Sequence, residues 1–270
     1  MTSGRSRRSA VPSSRTRRQA ARSDRSRSDV FAVGGRRPVL EAIRAGRARH
    51  VLLARGVHAT EGLRSAIDAA ATAGLAVEEV ERDAIDRLGL RDHQGVAALV
   101  AAPREIEDKG IAAMPFDPLA LVVVLDGITD PQNLGACARS AEGAGASLLV
   151  SRKRRAAPLT AAAVRASAGA LLHLPVARVT NLSRSLEHLR DRGFFVVGLD
   201  QDAPVDIYHA PEPTRPLAVV VGGEDVGLSR LVRESCDLLV AIPMAGRTGS
   251  LNASAALAVA LFGYVLRASR

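Results

Sequence analysis

Two hydrophobic rhythms divide the chain. Between residues 29 and 103, apolar positions switch repeatedly between helical and extended spacing. Val39, Leu40 and Ile43, following Pro38 and closed by Gly46, fit a short amphipathic helix. Residues 50–54, 75–80 and 95–102 fit strands, and 60–73 and 81–89 fit helices. This alternation predicts a small α/β domain. From residue 119 the strands become continuous apolar runs, at 119–127, 147–151, 194–200, 217–223 and 238–244. Such runs fill the centre of a parallel sheet, where both faces are covered. Helical spacing lies between them at 132–143, 158–171, 181–192 and 228–235, and an almost unbroken apolar helix closes the pattern at 253–266. The prediction is an α/β fold with a mostly parallel sheet over 119–270. It is joined to the smaller domain (29–103) by a proline-containing linker at 104–118.

Composition sharpens this picture in three places. Tryptophan is absent and aromatics make up 3% of the chain, so the core must be aliphatic. No apolar run reaches the roughly 18 residues that cross a bilayer, so no membrane partner is expected. Two cysteines, Cys137 and Cys236, make no disulfide framework, which fits a reducing, cytoplasmic compartment. Residues 1–28 hold nine arginines and one acid, eight of the net nine positive charges. That segment lacks apolar periodicity and an apolar signal core, so it is expected to be a disordered Arg/Ser-rich tail. It can neutralise phosphates non-specifically or stand as a solvated tail without a fixed partner.

Three polar clusters follow apolar strands. In "DGITDPQNLGACARS" (126–140), Asp130 and Pro131 read as a helix cap and first turn. Asn133, Gly135 and Arg139 are left without that explanation. Asn133 and Arg139 are about 120° apart on a helical wheel, so spacing alone does not bring them together. In "VVVGGEDVGLS" (219–229), the two glycines permit close approach by a ligand or by another chain segment. The spacing is not that of a dinucleotide fingerprint. Ser229 is a better helix cap than Glu224. In "IPMAGRTGSLNAS" (242–254), either Ser250 or Asn252 can cap the terminal helix, leaving the other free. Gly246 and Gly249 leave main-chain groups open to a ligand.

Taken in order, N-L-G-x-x-x-R, G-G-E-x-x-G-L-S and I-P-M-x-G-x-x-x-S-L-N-A-S resemble the motifs of the SpoU/TrmH family of RNA ribose 2'-O-methyltransferases, within the SPOUT class. "VFAVGGRRPVLEAI" and "DHQGVAALV" resemble the RNA substrate-binding, ribosomal-protein-like domain of the branch that methylates a guanosine in 23S, large-subunit ribosomal RNA. The resemblance implies a deep trefoil knot in the C-terminal domain and S-adenosyl-L-methionine as cofactor, held by Gly222, Ile242 and Leu251. It implies that Arg139 is the catalytic arginine, acting on the 2'-hydroxyl or binding phosphate. Asn133 would position the ribose or Arg139, and Glu224, Ser250 and Asn252 would organise the site. It implies a homodimer, for which helix 253–266 is a candidate interface, its alternative being burial in its own core. No metal is expected, since no paired ligand spacing is present. "SRKRR" (151–155) and Arg165 are candidate RNA contacts. Three rival readings are a transfer RNA methyltransferase, a methyltransferase of an antibiotic-resistance site, and a ribosome assembly factor that binds RNA without catalysis.

Overall fold

The computed structural model describes residues 30–265 apart from 91, 104, 214 and 225; the tail expected at 1–28 and residue 266 lie outside the described residues. The first layer contains β1 (Val30–Gly34), α1 (Arg36–Arg44), β2 (Ala48–Ala54), α2 (Glu61–Thr72), β3 (Val77–Val80), α3 (Arg82–Asp86) and β4 (Val96–Ala101). Its sheet has the order β1-β4-β2-β3, with β4 antiparallel to both neighbours and β2 parallel to β3. The strand pattern missed β1, which is five residues long and ends in a glycine. That glycine is structural, because a Cβ on Gly34 would lie 2.8 Å from the Cβ of His93.

The second layer begins earlier than the proline pattern of 103–118 predicted. It contains β5 (Glu105–Ile106), α4 (Asp108–Ala113), β6 (Leu121–Asp126), α5 (Pro131–Gly143), β7 (Leu148–Arg152), α6 (Ala161–Ala166), α7 (Ala170–His173) and β8 (Val176–Val179). It continues with α8 (Leu182–Arg190), β9 (Phe195–Leu199), β10 (Val205–Asp206), β11 (Leu217–Gly222), α9 (Arg230–Glu234), β12 (Leu238–Ala241) and α10 (Ala253–Val259), then a π-helical segment at Ala260–Val265. Eight strands form one sheet in the order β10-β12-β9-β11-β6-β7-β8-β5, and every pairing among them is parallel. Alternate residues of β6 serve two cores: Leu121, Val123 and Leu125 on one face, Val122 and Val124 on the other. This is the physical meaning of an unbroken apolar strand.

Departures from the sequence pattern have local causes. The helix expected at 158–171 is split into α6 and α7 because Ala168 and Gly169 have φ of 51° and 95°, outside the right-handed helical region. Strand β8 was hidden by a charge in its middle. Arg178 is only 6% exposed, and its Nη1 donates to Ser151 Oγ (3.1 Å) and the Ala157 carbonyl (2.7 Å). Burial lowers its pKa from the usual arginine value, opposed by the charge of Glu105. The terminal helix widens at Ala260, and Tyr264 is buried with its hydroxyl donating to the Pro211 carbonyl at 2.7 Å. No described helix is long and apolar enough to cross a membrane.

The two layers touch. Val39, Ala42 and Ile43 of α1 share a hydrophobic cluster with Leu171 of α7. Gly169 admits α1, since a Cβ there would lie 2.6 Å from the Cβ of Glu41, and His173 Nε2 lies 3.1 Å from Glu41 Oε2.

Candidate active site

The topology reverses between β6 and β9. The chain steps outward through β7 and β8, returns beyond β6 to β9, and then inserts β11 between β9 and β6. A crevice opens at the carboxyl ends of strands where a parallel sheet reverses in this way. Here it is a cavity of about 240 Å³ walled by Leu199, Val221 and Val240, with Gly222, Ile242, Ser250 and Leu251 on its lining. Gly222, Ile242 and Leu251, the residues that the resemblance implies for the cofactor, therefore line one cavity.

Its glycines have different reasons. A Cβ on Gly222 would collide with the backbone of Gly227 and Leu228, and one on Gly223 would lie 2.6 Å from the Gly127 carbonyl oxygen. Close approach by other chain segments accounts for both. Gly246 and Gly249 have nothing within 4 Å of an added Cβ, so packing does not require them and their turn lies open.

The three polar clusters meet at the rim. Asn133 Nδ2, on the first turn of α5, donates to Glu224 Oε1 at 2.8 Å. Asn252 Nδ2 donates to Asn133 Oδ1 at 3.1 Å and also to Glu224 Oε1. Asn252 Oδ1 accepts from the backbone N–H groups of Ser254 (2.9 Å) and Ala255 (3.4 Å), so Asn252 is the cap of α10. Asp130 caps α5 through the Asn133 N–H at 3.2 Å, which fixes the backbone that carries the Asn133 amide. Ser250 is exposed and lines the cavity without a cap to make. Arg139 is exposed on α5, makes no hydrogen bond or ion pair among the described residues, and does not line the cavity. The fold thus unites Asn133, Glu224, Ser250 and Asn252, and leaves Arg139 separate.

The sequence reading missed the support beneath this rim. Asp126 ends β6 and is 3% exposed. Its Oδ1 pairs with Arg152 Nη2 at 2.7 Å, its Oδ2 accepts the Ser229 N–H at 2.7 Å, and its carbonyl accepts the Gly223 N–H at 2.8 Å. The loop carrying Glu224 is thereby tied at both ends to one carboxylate residue. Ser229 sits at the start of α9 but makes no side-chain cap, because its Oγ accepts from Arg152 Nη2 at 3.0 Å. An acid ending a buried apolar strand was the available signal. The same signal marks Asp200, which lines the cavity and pairs with Arg233 at 3.1 Å. Beneath Asn133, burial and the Glu224 charge push the Cys137 thiol up to about 12, so it has no nucleophilic role.

Comparison with known proteins shows what the chain as a whole is similar to. The model of the SpoU rRNA Methylase family matches residues 120–262, and that for RNA 2'-O ribose methyltransferase substrate binding matches residues 32–106. An uncharacterized tRNA/rRNA methyltransferase of Mycobacterium ulcerans is 45% identical over 243 residues, 88% of this chain and 77% of the relative. YacO of Bacillus subtilis, described as a TrmH family tRNA/rRNA methyltransferase, is 39% identical over 84% of this chain and 92% of its own. The crystal structure of an RNA 2'-O ribose methyltransferase superposes with a TM-score of 0.75 at 27% identity, covering 92% of both chains. The SpoU methyltransferase AviRb of Streptomyces viridochromogenes, solved with AdoMet, gives a TM-score of 0.71 at 28% identity over 93% of this chain and 96% of that one. The chain belongs to the SpoU rRNA methylase family.

Proposed function

We propose that this protein is an S-adenosylmethionine-dependent RNA ribose 2'-O-methyltransferase whose target is a guanosine of 23S ribosomal RNA. The observation that carries the reading is the Asn133–Glu224–Asn252 hydrogen-bonded triangle at the mouth of the cavity lined by Gly222, Ile242 and Leu251. The cavity also fits the cofactor chemically. Aliphatic walls and open main chain suit an adenosine, and Asp200, Asp202 and Glu224 against Arg233 leave an excess of acid to face a cation. When bound, S-adenosylmethionine supplies a methyl group on a positively charged sulfur.

The chain's own residues then have to hold a ribose hydroxyl in line and stabilise its oxygen as it loses its proton. Glu224 accepts two side-chain N–H groups and so locks both asparagine amides in one orientation. Ser250, free of capping, lines the cavity and offers its hydroxyl as a hydrogen-bonding group for the reacting nucleotide. The Arg139 guanidinium is a planar fork of N–H donors on an exposed face of α5, so its role is to bind the phosphate beside the target ribose. The same proposal includes a homodimer with knotted C-terminal domains. Half-exposed Phe262 and Tyr208 offer an apolar patch beside the last helix. Residues 29–103 act as the RNA-binding domain.

Transfer of labelled methyl from S-adenosylmethionine to unmodified large-subunit RNA, small-subunit RNA and transfer RNA tests the substrate class. Label in the large-subunit RNA alone is the expected result. Label only in transfer RNA would replace ribosomal RNA as the substrate, and no label in any RNA would favour a non-catalytic RNA-binding protein.

A further inference from the structure

Two sequence motifs that the reaction does not use, "GGRRP" (34–38) and "DHQG" (92–95), converge on a second cleft at the seam between the first sheet and α6. This cleft has a volume of about 430 Å³ and shares no lining residue with the cofactor cavity. Arg37, Asp92 and Gln94 line it from the first domain, and Arg165 lines it from α6. We infer that it holds one phosphate–ribose unit of an RNA backbone away from the target nucleotide. The inference rests on the RNA methyltransferase reading above.

Both turns that form the rim are fixed before any ligand arrives. Gly35 has φ of 101°, a conformation open to glycine, and its N–H donates to the Val96 carbonyl at 3.0 Å. Gln94 Oε1 accepts the Arg36 N–H at 3.3 Å and joins one turn to the other. His93 is the anchor and is 4% exposed. Its Nδ1 accepts the Gly95 N–H at 3.1 Å, and its Nε2 lies 2.9 Å from Asp86 Oδ1. On either side of it, Asp92 and Gln94 have left-handed backbone, with φ of 55° and 54°, and both residues are exposed. Left-handed backbone at non-glycine residues is strained, so the buried imidazole has to hold this turn in place.

The chemistry of the cleft is specific. Arg37 and Arg165 are exposed, and their side chains make no hydrogen bond or ion pair among the described residues. Asp92 also lacks an ion pair there, so its carboxylate is not consumed by either arginine. Two guanidinium groups suit one phosphodiester. A carboxylate beside them repels a polyphosphate and gains nothing from deoxyribose, whereas it accepts a hydrogen bond from a ribose 2'-hydroxyl. Helix α6 packs directly on α5, where Gly135 lets the backbone approach: its Cβ position is 2.6 Å from the Ala163 carbonyl oxygen. Arg37 and Arg165 thus bring two unpaired guanidinium groups to one cleft, whose α6 wall packs on the helix of Asn133.

The test uses the full chain and an unmodified large-subunit ribosomal RNA transcript, with binding followed across a range of salt. The Arg37→Ala/Arg165→Ala variant is expected to bind RNA about tenfold more weakly, with the log K against log salt slope reduced by about one. Its calorimetric affinity for S-adenosylmethionine should match wild type. Asp92→Ala, which removes the acceptor, should narrow the preference for RNA over DNA of the same sequence. Wild-type affinity and slope in the double variant would overturn the phosphate assignment, and an unchanged preference in Asp92→Ala would overturn the ribose contact. If the wild-type protein methylates the transcript while the double variant binds it normally, the cleft assignment alone falls. If it methylates no ribosomal or transfer RNA, the functional reading falls and takes the cleft with it.

Discussion

Asn252 and Glu224 are 28 residues apart in sequence and joined by a side-chain hydrogen bond, and the same asparagine caps the last helix through its other amide atom. The stability of α10 and the geometry of the site are thus coupled in one side chain, and substitutions can separate them. Asn252→Ser keeps a capping oxygen and should leave the Tm nearly unchanged, whereas Asn252→Ala should cost about 1 kcal/mol. Both lose the bond to Glu224, so methyl transfer should fall on the order of a hundredfold in each. Thermal denaturation beside single-turnover transfer checks this. Full activity in Asn252→Ser would reduce Asn252 to a helix cap.

Asp126 bears on stability and on the cofactor together. Asp126→Asn keeps an acceptor for the Ser229 N–H but leaves the charge of Arg152 without its partner. Breaking a buried pair costs about 3–5 kcal/mol, and the partial exposure of Arg152 lowers the expected loss to about 2 kcal/mol. The loop bearing Glu224 is tied to the same residue, so S-adenosylmethionine should bind more weakly as well. Chemical denaturation and calorimetric titration read the two effects. A destabilised variant with wild-type cofactor affinity would confine Asp126 to the core.

Glycines of the second and third motifs should respond oppositely to alanine. Gly222→Ala has no room beside Gly227 and Leu228 and should lower the Tm sharply. Gly249→Ala meets open space and should leave the Tm in place while weakening cofactor binding. Equal stability losses in the two variants would contradict the distinction between a packed glycine and an open one.

Cysteine ionisation predicts a one-sided pH dependence. Burial pushes the thiols of Cys137 and Cys236 from 9.0 up to about 12. The folded protein therefore holds these protons more tightly than the unfolded chain. Their contribution is complete below pH 9 and is lost as the pH rises from 9 towards 12. Denaturation across alkaline pH should show falling stability, and a thiol reagent should react slowly with the native protein at neutral pH. Rapid labelling of both cysteines in the folded state would contradict this.

Much of the scaffold was legible because parallel strands buried on both faces leave unbroken apolar runs, as β6 and β11 do. β8 was hidden because Arg178 interrupts its run, and β5 and β10 because two residues give no periodicity. The motifs gave Asn133, Glu224 and Asn252, but not their contacts, since 91 and 119 residues separate Asn133 from its partners. Spacing on α5 gave no reason to place Arg139 beside Asn133. Asp126 was missed because a strand-ending acid resembles a turn residue until its burial is known.

The most direct measurement is nucleoside analysis by mass spectrometry of unmodified large-subunit ribosomal RNA after incubation with S-adenosylmethionine and either wild-type protein or Arg139→Ala. The expected result is 2'-O-methylguanosine with wild type and its loss in the variant, with cofactor binding intact in both. A base-methylated nucleoside, or equal 2'-O-methylation by the variant, would contradict ribose methylation at a site served by Arg139.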